Sequence, residues 1–147
     1  MIRALTFLSA LLMASSGAFA GEAPVYTGLF SNTGAGGYDP VSYFQAGQPV
    51  KGSTEYTTEY EGTSWRFANA ENLKLFQADP VRYAPVYGGY CAWAVGHGKL
   101  AKGDPLQWSI VDDKLYLNYN DPFKKRWLKD ANALIQQGNA NWPAVLK

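Results

Sequence analysis

The spacing of apolar positions changes along the chain and predicts the order of its elements. Tyrosines alternate with polar residues over 55–61, and a second aromatic run at 64–67 follows a glycine turn, as is typical of a β-hairpin. Two more apolar runs, 108–111 and 115–119, flank Asp112-Asp113 and predict a second hairpin. Aspartate rather than glycine at the second turn position carries a cost if that turn needs positive φ.

Helical spacing is predicted beside these hairpins. Asn69 caps a short helix through Phe76, and Asp79-Pro80 begins another turn. From Asp121-Pro122 to Gly138 the apolar positions form one stripe, which predicts a single longer C-terminal helix. No internal repeat is predicted, and the pattern indicates one α+β domain in which two β-hairpins pack with short helices and this longer helix. The positions expected to share one core are Trp65, Phe67, Phe76, Trp108, Leu115 and Trp127.

The first twenty residues predict a signal peptide. Met1-Ile2-Arg3 is a short basic start, residues 4–13 are apolar, and Ala18-Phe19-Ala20 is a small-x-small cleavage signal. Cleavage after Ala20 leaves 127 of the 147 residues, enough for one domain with a real core. We therefore expect a domain over 21–147 that is periplasmic or secreted, with no membrane insertion after cleavage.

The charge balance argues against nucleic acid as a partner. Removal of Arg3 reduces thirteen basic residues to twelve, against twelve acidic ones. A chain without net charge lacks the electrostatic footprint of a nucleic-acid or anionic-membrane binder, and Lys124-Lys125-Arg126 is interpreted as a solvated helix face. Both methionines fall within the signal peptide, so a methionine-rich copper carrier is excluded and the soft side-chain ligands are Cys91 and His97.

Residues 87–98 hold both the one cysteine and the one histidine. Gly88 and Gly89 favour a sharp turn, after which residues 92–95 form a short apolar helix that Gly96 closes. Cys91 would then lie in the first helical turn, where free N–H groups favour a thiolate. A lone cysteine among Tyr, Ala and Trp is equally typical of an inert core residue, so both interpretations stay open.

Copper is the metal that best matches this ligand set. Cu(I) accepts as few as two soft or borderline ligands, so Cys91 and His97 would suffice, whereas structural zinc needs four. On an ideal helix six residues turn through about 600° and rise roughly 9 Å, so the two side chains meet only if the chain folds back near Gly98. Otherwise His97 is an exposed loop residue.

Two alternatives to metal handling remain. Cys91 would serve thiol redox chemistry only with an external thiol or oxidant as partner, because the chain has no resolving cysteine. A Cys/His hydrolase would need a third orienting residue that the sequence does not nominate, so no catalytic residue is assigned. The other alternative is a binding or scaffold domain, in which the aromatic residues are core and Cys91 is inert. The oligomeric state stays open, with a monomer as the expectation.

Several motifs together resemble the YHS domain family. The chain looks like the exported branch of YHS domain-containing (seleno)proteins, and the resemblance extends over nearly all of 21–147. The motifs are Tyr38-Asp39-Pro40-Val41, Tyr60-Glu61-Gly62 with Trp65 and Phe67, Phe76 with Asp79-Pro80 and Tyr83, Tyr87-Gly88-Gly89-Tyr90-Cys91-Ala92, Asp104-Pro105 with Trp108, and Lys114-Leu115-Tyr116-Leu117-Asn118.

The chain departs from this family at its metal ligands. The resemblance places Ser42, Ala68 and Asn72 where metal-binding YHS modules carry cysteines, so metal binding is not carried over through those positions. It does carry over Cys91, the position at which related sequences use selenocysteine. A selenol in place of this thiol implies redox or soft-metal chemistry rather than packing.

Overall fold

Two antiparallel β-hairpins organise residues 21–147, the part of the chain that the computed structural model describes. Residues 1–20, with the predicted signal peptide, lie outside it. The confirmed α+β domain contains, within 21–147, six α-helices beside the four strands, and none of these helices has the length and apolarity to cross a bilayer. The elements are α1 (Ser42–Gln45), β1 (Ser53–Tyr60), β2 (Thr63–Phe67), α2 (Ala70–Ala78), α3 (Pro80–Tyr83), α4 (Ala92–Gly96), β3 (Asp104–Val111), β4 (Lys114–Asn118), α5 (Asp121–Lys129) and α6 (Ala131–Asn141).

Each hairpin closes with a two-residue turn in which both residues have positive φ. The values are 52° and 69° at Glu61 and Gly62, and 50° and 60° at Asp112 and Asp113. Turns of this kind match the twist of the paired strands, but they cost more where the residue is not glycine. The cost anticipated at the second turn position is therefore present at Asp113, and Asp112 adds the same unfavourable backbone conformation.

The two halves of the domain repeat one arrangement. Each half begins with a 3-10 turn, Gly34–Gly37 or Val86–Gly89, and continues with a short helix, a hairpin with strands of eight and five residues, and a helix of nine residues. Both hairpins shift register at their outer ends, after Ser53 and Asp104. The turns start 52 positions apart and the hairpins 51 positions apart. The sequence pattern showed no internal repeat, so this repeat of structural elements is a feature that the sequence did not predict.

Backbone hydrogen bonds show that the repeat holds at the level of single residues. Tyr38 donates to the carbonyl of Ala35, and Tyr90 to that of Tyr87, each at 3.0 Å. The backbone N–H of Asp39 likewise donates to Val50 O at 2.8 Å, and the backbone N–H of Cys91 donates to Ala101 O at 2.9 Å. Asn69 and Asn120 cap the nine-residue helices through equivalent side-chain bonds. Inspection of the sequence does not reveal the repeat, because the two halves share backbone geometry but have few identical residues at equivalent positions.

The predicted single C-terminal helix is wrong, because the chain breaks at Asp130 into α5 and α6. Asp130 has φ −130° and ψ 35°, outside the helical region. Gly138, expected to stop the helix, lies inside α6, where a Cβ would collide with the Tyr87 hydroxyl. This glycine is thus required for close packing against the second 3-10 turn, and α6 continues to Asn141.

The predicted single core is also wrong, because the large apolar residues divide into three clusters. Trp65, Phe67 and Phe76 lie in the first half, whereas Trp127 packs on the second. A third cluster joins the halves and contains Leu115, Leu117 and Tyr43, with Trp108 half-buried against it. The first hairpin packs on its own core, whereas the second divides its apolar residues between the core of the second half and the cluster that joins the halves.

Candidate functional site

Cys91 lies at the start of α4, buried between the second 3-10 turn and the end of β4. Positive φ values of 62° and 86° at Gly88 and Gly89 form the predicted sharp turn, and the short helix follows at Ala92–Gly96. Both predictions are confirmed. Cys91 is the residue preceding the helix rather than part of its first turn, and it is only 1% exposed.

Main-chain N–H groups converge on the cysteine sulfur. Tyr119 N lies 3.3 Å from Sγ and donates to it. The N–H groups of Ala94 and Trp93 are close enough to lower the pKa of the thiol, although Trp93 N donates its hydrogen bond to Asn118 Oδ1. Burial raises the pKa of the Cys91 thiol, and these three donors lower it by less than burial raises it. The expected N–H groups are therefore present, but the expected thiolate is wrong for this buried state, which favours the neutral thiol.

Asn118 is a site residue that the sequence interpretation missed. Its side chain is fully buried, and its Oδ1 accepts from the Cys91 thiol at 3.5 Å and from Trp93 N at 3.0 Å. Its Nδ2 has no hydrogen-bond acceptor within residues 21–147. The sequence signal for this residue is an asparagine at an inward position of the otherwise apolar strand β4. A buried amide needs hydrogen-bond partners, so such a residue indicates a polar site inside the domain.

His97 occupies the opposite end of α4 from Cys91. Its Nδ1 lies 2.7 Å from the carbonyl oxygen of Trp93, and its exposed ring stacks on that indole at a centroid distance of 4.0 Å. A proton on Nδ1 satisfies this bond and leaves Nε2 as the free nitrogen. The structure does not bring His97 to Cys91, and residues 21–147 contain no group of three or more His, Cys, Asp or Glu placed to hold a metal ion.

Asp39 occupies in the first half the position that Cys91 occupies in the second. Its carboxylate is completely buried and accepts four hydrogen bonds. Val41 N and Ser42 N donate to Oδ1 at 2.8 and 3.3 Å, and Ala68 N and Asn72 Nδ2 donate to Oδ2 at 2.9 and 2.8 Å. This arrangement is a fully satisfied carboxylate site.

The same three backbone positions serve the carboxylate and the thiol. Adding 52 to the residue numbers of the two N–H groups in the short helix of the first half, and 51 to that of the N–H group after its hairpin, gives the corresponding residues of the second half. We call this three-donor arrangement the N–H cradle. Its N–H groups are those of Val41, Ser42 and Ala68, which all donate to Asp39, and those of Trp93, Ala94 and Tyr119 around Cys91. In the second half Tyr119 N donates to the sulfur, whereas Trp93 N donates to Asn118 Oδ1.

The positions at which the resemblance expects cysteines surround Asp39. Ser42, Ala68 and Asn72 all donate to its carboxylate, and Ser42 Oγ also donates to the Asp39 carbonyl at 2.6 Å. None of them offers a sulfur, and the donors already saturate the central carboxylate. These residues therefore do not fit a cysteine-ligated metal centre.

An aromatic cavity of about 490 Å³ lies apart from Cys91 and His97. Its walls include Trp65, Tyr116 and Trp142, and Glu61 and Lys114 also line it. Clefts of this size and composition are typical of ligand sites. The cavity is the feature that favours the interpretation of the chain as a binding module.

Comparison with known proteins gives one match. The family model described as the YHS domain matches residues 41–87, which run from α1 through the first hairpin to the second 3-10 turn. No curated protein matches the chain, and no solved structure does. The resemblance to the YHS family is confirmed over 41–87, while the assignment to an exported branch stays a prediction.

Proposed function

We propose that this chain, whose residues 41–87 match the YHS domain family, is an exported module that handles Cu(I) with Cys91 as the sulfur ligand. The YHS domain is generally associated with metal handling. Because the positions around Asp39 supply no sulfur here, soft-metal chemistry in residues 21–147 falls to the one cysteine. Soft thiolate ligands favour Cu(I) among the common metal ions.

The buried neutral thiol inside the N–H cradle is the observation that supports this role. Burial raises the pKa of Cys91 because an isolated thiolate loses its hydration there. A thiolate paired with Cu(I) has no net charge, so its burial costs less than that of the free anion. The N–H groups of Tyr119 and Ala94 remain available to the sulfur, since metal binding releases only the thiol proton.

The second ligand for Cu(I) would come from outside this chain. His97 faces Trp93 at the other end of α4, and no further soft side chain accompanies Cys91 among the described residues. A small external thiol would complete a two-coordinate site. Because Cys91 is buried, loading requires its cover to open, which suits transfer of an ion more than permanent storage.

Thiol redox exchange is the second candidate, favoured by the same donors. The N–H groups of Trp93, Ala94 and Tyr119 lower the thiol pKa and would stabilise a nucleophilic thiolate once water reached the sulfur. With no second cysteine in the chain, turnover would need an external thiol. Burial opposes this role more than it opposes metal binding, because exchange requires the free anion.

An anaerobic Cu(I) titration against a chromophoric chelator tests the metal role. We expect one ion bound per chain in the presence of a small thiol, with binding lost in Cys91→Ser and unchanged in His97→Ala. Alkylation of Cys91 in the same samples tests the redox role. Absence of copper binding together with fast alkylation at neutral pH would favour redox exchange, and absence of both would leave the binding module.

Export is part of this proposal and has its own test. The basic start and the Ala18-Phe19-Ala20 signal support cleavage after Ala20. Intact mass of the protein recovered outside the cytoplasm should correspond to residues 21–147. Recovery of a chain that retains Met1 would contradict the assignment.

A further inference from the structure

We propose that Cys91 is an oxidation site whose sulfinate form is bound by the N–H cradle as the Asp39 carboxylate is bound in the first half. The inference rests on the repeat and does not depend on copper handling. In one half the cradle holds two anionic oxygens, and in the other it holds a sulfur. The structure thus shows which chemical group these donors accommodate when their hydrogen bonds are complete.

A cysteine sulfinate has the same connectivity as an aspartate carboxylate. In each, one atom attached to Cβ carries two oxygens that share a single negative charge. Around Asp39 the donors divide between the oxygens, with Val41 N and Ser42 N on Oδ1 and Ala68 N on Oδ2. The N–H groups of Trp93, Ala94 and Tyr119 hold the equivalent positions in the second half, and Trp93 N would exchange its present acceptor, Asn118 Oδ1, for a sulfinate oxygen.

The side-chain amide of Asn118 supplies an independent indication. Its Oδ1 lies 3.5 Å from Sγ, which places the amide beside the sulfur, and its buried Nδ2 has no acceptor within residues 21–147. In the first half a side-chain amide, Asn72 Nδ2, donates to Asp39 Oδ2 at 2.8 Å. In the reduced protein Oδ1 faces the sulfur, and a half-turn of the amide would direct Nδ2 to a sulfinate oxygen at Cys91 and give it the acceptor that a thiol does not provide.

The chemistry requires a peroxide as the oxidant. The Cys91 thiolate attacks one peroxide oxygen, an S–O bond forms as the O–O bond breaks, and the remaining oxygen leaves as hydroxide and takes up the thiol proton as water. The sulfenate repeats this step with a second peroxide and gives the sulfinate and a second water. Each step oxidises sulfur by two electrons and reduces one peroxide.

The site favours slow accumulation of the oxidised form over rapid turnover. Cys91 is buried and its thiol is mainly neutral, so the fraction present as attacking thiolate is small. Once formed, the sulfinate gains the bonds that the cradle offers, and no resolving cysteine is present to remove the sulfenate. The modified residue would record sustained exposure to peroxide.

The test compares Cys91→Asp, which mimics the sulfinate, with Cys91→Asn, which has similar shape but no charge. We expect Cys91→Asp to melt higher than Cys91→Asn, by on the order of 5 °C for a domain of this size. Adding Asn118→Leu to each variant should remove most of that difference, because it deletes the amide donor. Equal melting temperatures, or a less stable Cys91→Asp, would overturn the proposal.

Peroxide treatment of the full chain gives a second readout that does not depend on a variant folding. Mass spectrometry should find two added oxygen atoms on Cys91, and the oxidised protein should melt no lower than the reduced protein. Oxidation that unfolds the domain, or that passes directly to the sulfonate, would show that the cradle does not hold a sulfinate. Copper is absent from these assays, so their outcome is separate from that of the Cu(I) titration.

Discussion

Replacing Asp39 by asparagine should destabilise the domain far more than its small change in shape suggests. The asparagine oxygen can still accept from Val41 N and Ser42 N, but its amide would face Ala68 N and Asn72 Nδ2, which are themselves donors. Two bonds to a charged acceptor are lost and two donors are left without partners. A bond to a charged group contributes about 1.5–3 kcal/mol, so we expect a loss on the order of 3 kcal/mol.

Urea unfolding followed by circular dichroism measures this loss. Asn72→Ala is the graded comparison, because it removes only one of the four donors and should cost about 1.5 kcal/mol. Asp79→Asn is the matched control at an exposed helix cap, where the side chain accepts one bond from Arg82 N, and it should cost roughly 0.5 kcal/mol or less.

The order of these three losses carries the test. If Asp39→Asn cost no more than Asn72→Ala, the carboxylate would not be the centre that joins residues 39–42 to 68–72. A loss below about 1 kcal/mol would refute the assignment of four effective hydrogen bonds to Asp39. It would also weaken the comparison on which the oxidised state of Cys91 rests, because both depend on the cradle binding an anion.

Two further predictions concern the core and the thiol. Trp127→Ala should lower the free energy of unfolding in urea by about 3–5 kcal/mol, because the ring is completely buried. Trp108→Ala should lower it clearly less, because that ring is only half-buried. Equal losses would contradict the packing of α5. The raised pKa of Cys91 means that the native state holds the thiol proton more tightly than the unfolded chain does. The stabilisation from this difference is fully present below the unfolded pKa of about 8.5 and is lost as pH rises through the folded pKa. Wild type should therefore lose more stability than Cys91→Ala between neutral pH and about pH 10, while a difference that stays constant with pH would contradict the buried neutral thiol.

The features predicted correctly from the sequence depend on local chemistry. Strand alternation identifies both hairpins, and a side-chain cap identifies the helix after Asn69, since each signal lies within a few residues of the element it specifies. The two glycines before Cys91 likewise specify the turn and the short helix that follows. A break at Asp130 has no comparable signal, because α6 changes direction to pack against α4 and the second 3-10 turn.

The features missed depend on contacts between distant residues. The N–H groups near Cys91 were anticipated from the helix start, but Asn118 at the end of β4 and Tyr119 just after it reach the sulfur from 27 and 28 positions away. The burial that keeps the thiol neutral has the same tertiary origin. His97 was paired with Cys91 because both are soft or borderline ligands, yet a helix of five residues keeps them at opposite ends.

The family match and the candidate sulfur site lie in different halves of the molecule. Residues 41–87 end before Cys91, so the match describes the half in which Asp39 fills the cradle. The proposal that Cys91 binds a metal therefore rests on the repeat and not on the matched residues: equivalent backbone positions surround Asp39 and Cys91, and of these two side chains only Cys91 offers a sulfur. A fragment limited to the matched residues would lack that ligand. Measurements of metal binding or oxidation should consequently use a chain that contains both halves, in which the Asp39 cradle serves as the internal reference for the Cys91 cradle.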